Sequence, residues 1–263
     1  KNHKTINRAL VLFETLKKEA PSTGGPNAQS YREMINIWRN SRSPAKFSRA
    51  LELLREAREN YVSDETWRAT HSSRESAVDV FTAFIQVCGS PSLSDMKDLR
   101  ERTKAMTTAL HSLEEARKLG LTPNCDTFTA LVEASDLLLP ANGQERENVL
   151  ETIFCRACDE GYVNQSLLER FRSAASTYLY AKLVVSKSLS MEDIKIVPES
   201  WTRNVQGYKE GKKVMPLSIH GNFTFTKAAA EYRMRKLRRR TNQRLLQGGR
   251  LKRSEEHTSE LQS

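Results

Sequence analysis

The sequence predicts an all-α fold in which helical hairpins repeat along the chain. Three observations predict it: apolar residues recur on one helical stripe in segment after segment, two kinds of segment alternate, and Pro-Asn turns stand between them. With 263 residues, 38% of them apolar and 28% charged, the chain is long enough for a sizeable core or an extended repeat array.

One kind of segment is RALVLFETLKKE (Arg8–Glu19), RALELLREAREN (Arg49–Asn60) and TALHSLEEARKL (Thr108–Leu119), which superpose without gaps. Ala9, Ala50 and Ala109 are followed four residues on by Phe13, Leu54 and Leu113, and seven on by Leu16, Ala57 and Ala116. Those offsets lie on one side of a helix. VLETIFCRACDEG (Val149–Gly161) is a weaker copy, with Leu150, Phe154 and Ala157 in the same register.

The other kind is SYREMINIW (Ser30–Trp38), VFTAFIQVC (Val80–Cys88) and TFTALVEAS (Thr127–Ser135), aligned on Tyr31, Phe81 and Phe128. Apolar residues follow three and four places on: Met34 and Ile35, Phe84 and Ile85, Leu131 and Val132. This is again one face of a helix. Pro26-Asn27 and Pro123-Asn124 precede two of these helices, where Pro stops an incoming helix and Asn favours the turn. The remaining links carry turn residues and differ in length. A lone hairpin cannot bury both stripes, so the pattern predicts stacking of about three hairpins, as in a solenoid.

Beyond the repeats, Gln165–Val185 is expected to be one closing helix, so that the array spans residues 1–185 with a partial repeat at its start. Residues 186–226 have Pro, Gly and mixed charges with little periodicity, and read as an irregular segment in which Trp201 is a packing anchor. TKAAAEYRMRKLRRRTNQRLLQGG (Thr226–Gly249) reads as a basic helix, with Thr226 as cap and Gly248-Gly249 as its end. Its segment, residues 227–252, carries ten Lys/Arg against Glu231 alone. The chain opens on Lys1 without Met, which predicts a fragment lacking its N-terminus and any targeting peptide. Residues 253–263 (RSEEHTSELQS) read as a translated sequencing adapter, so the natural C-terminus is expected to be missing too.

Setting that tail aside removes one Arg and three Glu and moves the net charge from +10 to +12, of which residues 227–252 hold +9. The basicity belongs to one segment, and a concentrated cationic segment points to nucleic acid or an anionic surface. Its apolar residues Met234, Leu237, Leu245 and Leu246 are too sparse for a membrane-surface helix. There is also no run of 18 apolar residues, so no membrane partner is expected. Four cysteines are too few for a secreted disulfide scaffold, and a reducing compartment fits better. Cys155 and Cys158 form a CxxC inside a helical pattern, with neither a second pair nor a nearby His. Two small core residues one turn apart account for it better than a redox or zinc site.

GLTPNCDTFTALVEA (Gly120–Ala134) resembles the junction between repeats of the pentatricopeptide repeat family, and PNAQSYREMIN (Pro26–Asn36) resembles a second one. The resemblance covers roughly residues 5–176. It implies a right-handed α-solenoid of helix-turn-helix repeats that binds single-stranded RNA along its first helices. The repeats here are longer than the family's, with 50 residues from Tyr31 to Phe81 and 47 from Phe81 to Phe128. The excess is expected in the links Tyr61–Glu75 and Gly89–Lys104, because long loops are tolerated cheaply.

The family reads one base per repeat with a residue just after the aromatic and one before the next repeat. By resemblance the first position falls on Arg32, Thr82 and Thr129, and the second on Asn27 and Asn124. These residues are expected on one exposed face. Thr82 with Asn124 matches the family's adenine-preferring combination. Thr and Asn also meet base edges well on chemical grounds, although both are ordinary capping residues at helix starts. Arg233, Arg235, Lys236, Arg238, Arg239 and Arg240 are expected to meet the RNA backbone.

No catalytic constellation, metal site or cofactor motif is read from the sequence: the His residues are scattered and no glycine-rich phosphate loop occurs. A non-enzymatic protein is expected, although a metallonuclease domain of the kind joined to some pentatricopeptide arrays would lie in a missing C-terminus. The resemblance implies work on organellar transcripts, in a mitochondrion or plastid, with ribosomal or RNA-processing proteins as further partners. The alternative class is a protein-interaction scaffold like the tetratricopeptide arrays, whose Trp-x-x-Leu-Gly-x-x-Tyr signature is not present here.

Overall fold

The computed structural model describes residues 2–19, 25–69, 71–90, 98–141, 143–191 and 194–205. Among them the fold is all-α apart from one short two-stranded hairpin. They form two compact units, residues 2–175 with 198–205, and residues 176–197. The expected basic helix (227–252) and the adapter-like tail (253–263) lie outside the described residues.

Among the described residues the larger unit has the α-helices α1 (Asn2–Lys18), α2 (Ala28–Arg39), α3 (Lys46–Ser63), α4 (His71–Cys88), α5 (Leu99–Lys118), α6 (Cys125–Leu138), α7 (Gln144–Glu160) and α8 (Gln165–Ala174). The even-numbered ones are the first helices of hairpins, the odd-numbered ones the second helices. Each of α2, α4 and α6 packs on the next first helix (α2 on α4, α4 on α6, α6 on α8), on its own second helix, and on the second helix before it. The stripes read from the sequence are the buried ones: Tyr31, Phe81, Phe84, Phe128 and Leu131 on one kind of helix, Phe13, Leu54, Leu113 and Phe154 on the other. Aromatic contacts join the two kinds, with Phe13 edge-on to Tyr31 at 5.0 Å and Phe154 stacked on Phe171 at 4.0 Å.

Local chemistry sets the helix ends. Gly120 and Gly161 adopt φ of +75° and +76° just after α5 and α7, a left-handed turn that glycine enters without a Cβ clash. The amides of Leu121 and Tyr162 then bond back to the carbonyls of Ala116 and Ala157 at 3.0 and 2.9 Å, which closes the helix ends. Asn27, Asn124 and Asn164 open α2, α6 and α8, each accepting a backbone N–H three residues on. Gly89 permits close approach of α4 to α6: a Cβ there would lie 2.9 Å from the Ala134 Cα.

Three expectations are corrected. Part of the extra repeat length sits in helices, because α4 starts at His71 and α5 at Leu99, inside the stretches read as loops. Asp98 caps α5 through the Arg100 amide. The closing helix stops at Ala174, since Ala175 is extended and Ser176 caps a new short helix, α9 (Thr177–Tyr180), by accepting from the Leu179 amide at 3.1 Å. A π-helical turn follows at Ala181–Val185. The described part of the segment read as irregular holds a short hairpin: β1 (Leu189–Met191) pairs antiparallel with β2 (Ile194–Ile196) in the smaller unit. In the larger unit a 3-10 turn at Glu199–Trp201 buries Trp201 edge-on to Phe154 at 5.8 Å.

Candidate functional site

The first helices share one polar register, accessible at most of its positions. On α2 it runs Gln29, Arg32, Asn36, Arg39, and on α6 Asp126, Thr129, Glu133, Asp136, with steps of three, four and three. On α4 the same register gives Asp79, Thr82, Gln86 and Gly89. Every side chain of the stripe is polar. Neighbouring helices are joined across it: Arg32 pairs with Asp79 at 3.1 Å, Arg39 donates to Gln86, and Arg170 of α8 pairs with Glu133 at 2.7 Å.

The position after the aromatic lies where successive first helices meet. Thr82 is buried, 2.7 Å from the Thr127 hydroxyl of α6 and 3.1 Å from the Val78 carbonyl. The expectation that Thr82 is exposed for base reading is therefore overturned: α4 has a first helix on either side, and the hydroxyl is used between α4 and α6. Arg32 is half-buried and ion-paired to Asp79 and Glu33. Thr129 is half-buried, its hydroxyl donating to the Cys125 carbonyl at 2.8 Å. Of the three, Arg32 and Thr129 keep access to solvent.

The two asparagines are engaged as caps. Asn124 accepts from the Thr127 amide at 3.0 Å while its own amide donates to the Thr127 hydroxyl at 3.3 Å, a reciprocal capping box. Asn27 is exposed and accepts from the Ser30 amide and hydroxyl at 3.0 and 3.1 Å. In both, the carbonyl half of the side chain is occupied. Sequence reading passed over Asn164, which caps α8 through the Leu167 amide at 2.8 Å. Its position four residues before Leu168, as Asn27 and Asn124 stand before Tyr31 and Phe128, was the signal.

Charge is uneven along the stripe. The α2 end has Arg32 and Arg39, and the α6 end has Asp126, Glu133 and Asp136. Burial pushes the Asp79 carboxyl above the ordinary range, and Asp126 and Glu75 push the same way while Arg32 opposes them. Arg146, buried at the start of α7, pairs with Asp136 and donates to the Ala174 carbonyl at 2.7 Å. The six basic residues between 233 and 240 lie outside the described residues.

The cysteines are free thiols, with Cys88 and Cys158 buried and Cys125 and Cys155 half-buried. Burial pushes the Cys88 thiol far above its usual range, the mark of an inert core residue. Among the described residues no group of three or more His, Cys, Asp or Glu is placed to hold a metal, and no helix is long and apolar enough to cross a membrane. Comparison with protein-family models, with curated proteins and with solved structures found no match to this chain.

Proposed function

We propose that this chain is a pentatricopeptide-like solenoid that binds single-stranded RNA, with the polar stripe of its first helices facing the bases and residues 227–252 facing the phosphates. The observation that carries the reading is the side-by-side packing of successive first helices, which aligns one polar stripe across α2, α4 and α6. The division of labour follows from charge. The stripe's charges are largely paired among themselves (Arg32 with Asp79, Glu133 with Arg170, Asp136 with Arg146), so affinity has to come mainly from the +9 segment, while Arg32, Asn36 and Thr129 offer donors and acceptors to base edges. Asn27 and Asn124 contribute through the amide nitrogens that capping leaves over. In this reading the protein serves organellar transcripts in a mitochondrion or plastid, as a non-enzymatic RNA-binding or ribosome-associated factor.

Replacing Arg233, Arg235, Lys236, Arg238, Arg239 and Arg240 by Gln in the whole chain tests it. Affinity for single-stranded RNA is expected to fall for all sequences alike. If half of those charges meet phosphates, the plot of log affinity against log salt flattens by roughly 2, at about 0.7 per contact. An unchanged slope removes the RNA backbone from the account of the basic segment.

A second reading has its own observation. The exposed Asp126 at the α6 end, with Glu133 and Asp136 beside it in ion pairs to Arg170 and Arg146, suits a basic peptide that exchanges those pairs better than a nucleic acid, as in a protein-interaction scaffold. Under it the same six substitutions leave peptide binding intact and no RNA competes.

A further inference from the structure

The hairpins can be compared copy by copy at the corner where a first helix runs into its second. Four residues before the aligned Ala50, Ala109 and Leu150 stand Lys46, Ala105 and Arg146. All three are buried, at 3%, 5% and 6% exposure. Eight residues after the aligned Tyr31, Phe81 and Phe128, at the ends of the first helices, stand Arg39, Gly89 and Asp136.

Charge at these two places is balanced in two of the hairpins. In the α6–α7 hairpin the buried Arg146 pairs with Asp136. In the α4–α5 hairpin Ala105 and Gly89 carry no charge. In the α2–α3 hairpin both places are cationic. Arg39 is half-buried and donates to Gln86, a neutral acceptor. Among the described residues the Lys46 ammonium has neither an ion pair nor a hydrogen bond, and burial alone pushes it below the usual lysine range. A buried ammonium with no counter-charge is costly, so something has to repay it.

The start of α3 adds donors at the same corner. No side chain caps this helix, and its first turn holds no carboxylate. The Lys46 and Arg49 amides bond back to the Ser43 and Ala45 carbonyls, while those of Phe47 and Ser48 between them have no acceptor among the described residues. A side chain in the first helical turn leans back towards the helix N-terminus, which aims Lys46 at these amides' open side.

We propose that the corner between α2 and α3 binds a phosphate group, with Lys46 and Arg39 supplying the charge and the first amides of α3 supplying further donors. The Arg146–Asp136 pair shows that an anion belongs opposite the buried cation. Two uncompensated cations favour a doubly charged phosphate over a carboxylate, and free amides at a helix start suit its oxygens. The proposal rests on the repeat register and not on RNA binding.

The test uses the whole 263-residue chain and inorganic phosphate. Melting temperature is followed against phosphate concentration, with ionic strength held constant by chloride. A saturable rise is expected, as for any ligand that binds only the folded chain. Lys46→Met and Arg39→Glu are each expected to raise the half-saturating concentration roughly tenfold, the loss of one hydrogen bond to a charged group. Arg39→Glu restores the cation–carboxylate arrangement of Arg146 and Asp136, so it is expected not to lower the melting temperature in chloride alone. It also decides the matter if Lys46→Met fails to fold. Arg49→Gln removes an exposed cation of the same helix that is paired with Glu52, and is expected to respond as the wild type does. The basic segment is the same in all these chains, so phosphate bound there cancels in the comparison. If a single-stranded oligoribonucleotide raises the half-saturating phosphate concentration of the wild type, the phosphate is that of an RNA backbone; if it does not, the site takes free phosphate. No rise beyond that in chloride, or the same rise in the wild type, Lys46→Met and Arg39→Glu, overturns the proposal.

Discussion

The two sides of the helical array are held together differently. On the second-helix side, successive copies meet through long charged side chains: Lys17 with Glu56 at 2.6 Å, Arg58 with Glu115 at 2.8 Å, and Arg117 with Glu160. The first two pairs share one register, a cation eight residues after the aligned Ala and an anion six after it in the next copy. On the first-helix side ion pairs also occur (Arg32 with Asp79, Arg170 with Glu133), but between α4 and α6 the contact is close and uncharged, with Thr82 buried against Thr127 and a Gly89 Cβ position already filled by Ala134. The second-helix side satisfies its own charges. The first-helix side gives its apolar surface to packing and leaves a stripe of mixed charged, hydroxyl and amide side chains.

Substitutions on the two sides are expected to separate in size. Phe84 is fully buried in α4, with its ring 5.9 Å from that of Phe47. Phe84→Ala is expected to cost about 3–5 kcal/mol in chemical denaturation, as large-to-small changes in a close-packed core do. A cost below about 1 kcal/mol would mean that the first helices do not form the core. Asn124→Ala, which removes the capping box of α6, is expected to cost about 1 kcal/mol. Ala77, the equivalent position of α4, already lies inside its helix, so Ala77→Asn brings no such cap. On the other side Arg58→Ala breaks an ion pair whose Arg is 42% exposed, and a loss within about 1 kcal/mol that shrinks further in high salt is expected. A loss as large as that of Phe84→Ala would overturn the contrast between the two sides.

The helices were legible because each needs one apolar stripe, and the aligned Ala9, Ala50 and Ala109 with their partners four and seven residues on display it without gaps. The Asn caps were legible for a similar reason, since a single side chain satisfies a backbone donor locally. What stayed hidden depends on neighbours distant in sequence. HSSRESAVD at the start of α4 is polar and capping-prone, and looks like a loop. The halt of α8 at Ala174 turns on a Ser176 cap inside a run of otherwise good helix formers. Thr82 and Thr129 occupy the same motif position and each faces a following first helix, but Thr82 meets the Thr127 hydroxyl of α6, whereas α8 carries Leu167 at the place of Thr127 and the Thr129 hydroxyl turns to the Cys125 carbonyl. The exposed faces of a repeat are a property of packing between copies, which no single copy encodes.

That pair of threonines gives the most direct test. Competition among short single-stranded RNAs of different base composition is measured with the wild-type chain, with Thr82→Val and with Thr129→Val. The account predicts that Thr129→Val reorders the preferences, by ~1–3 kcal/mol at one base if the contact is a good one. Thr82→Val is predicted to leave the order unchanged, because its hydroxyl is spent between two helices. Reordering by Thr82→Val with none by Thr129→Val would contradict it.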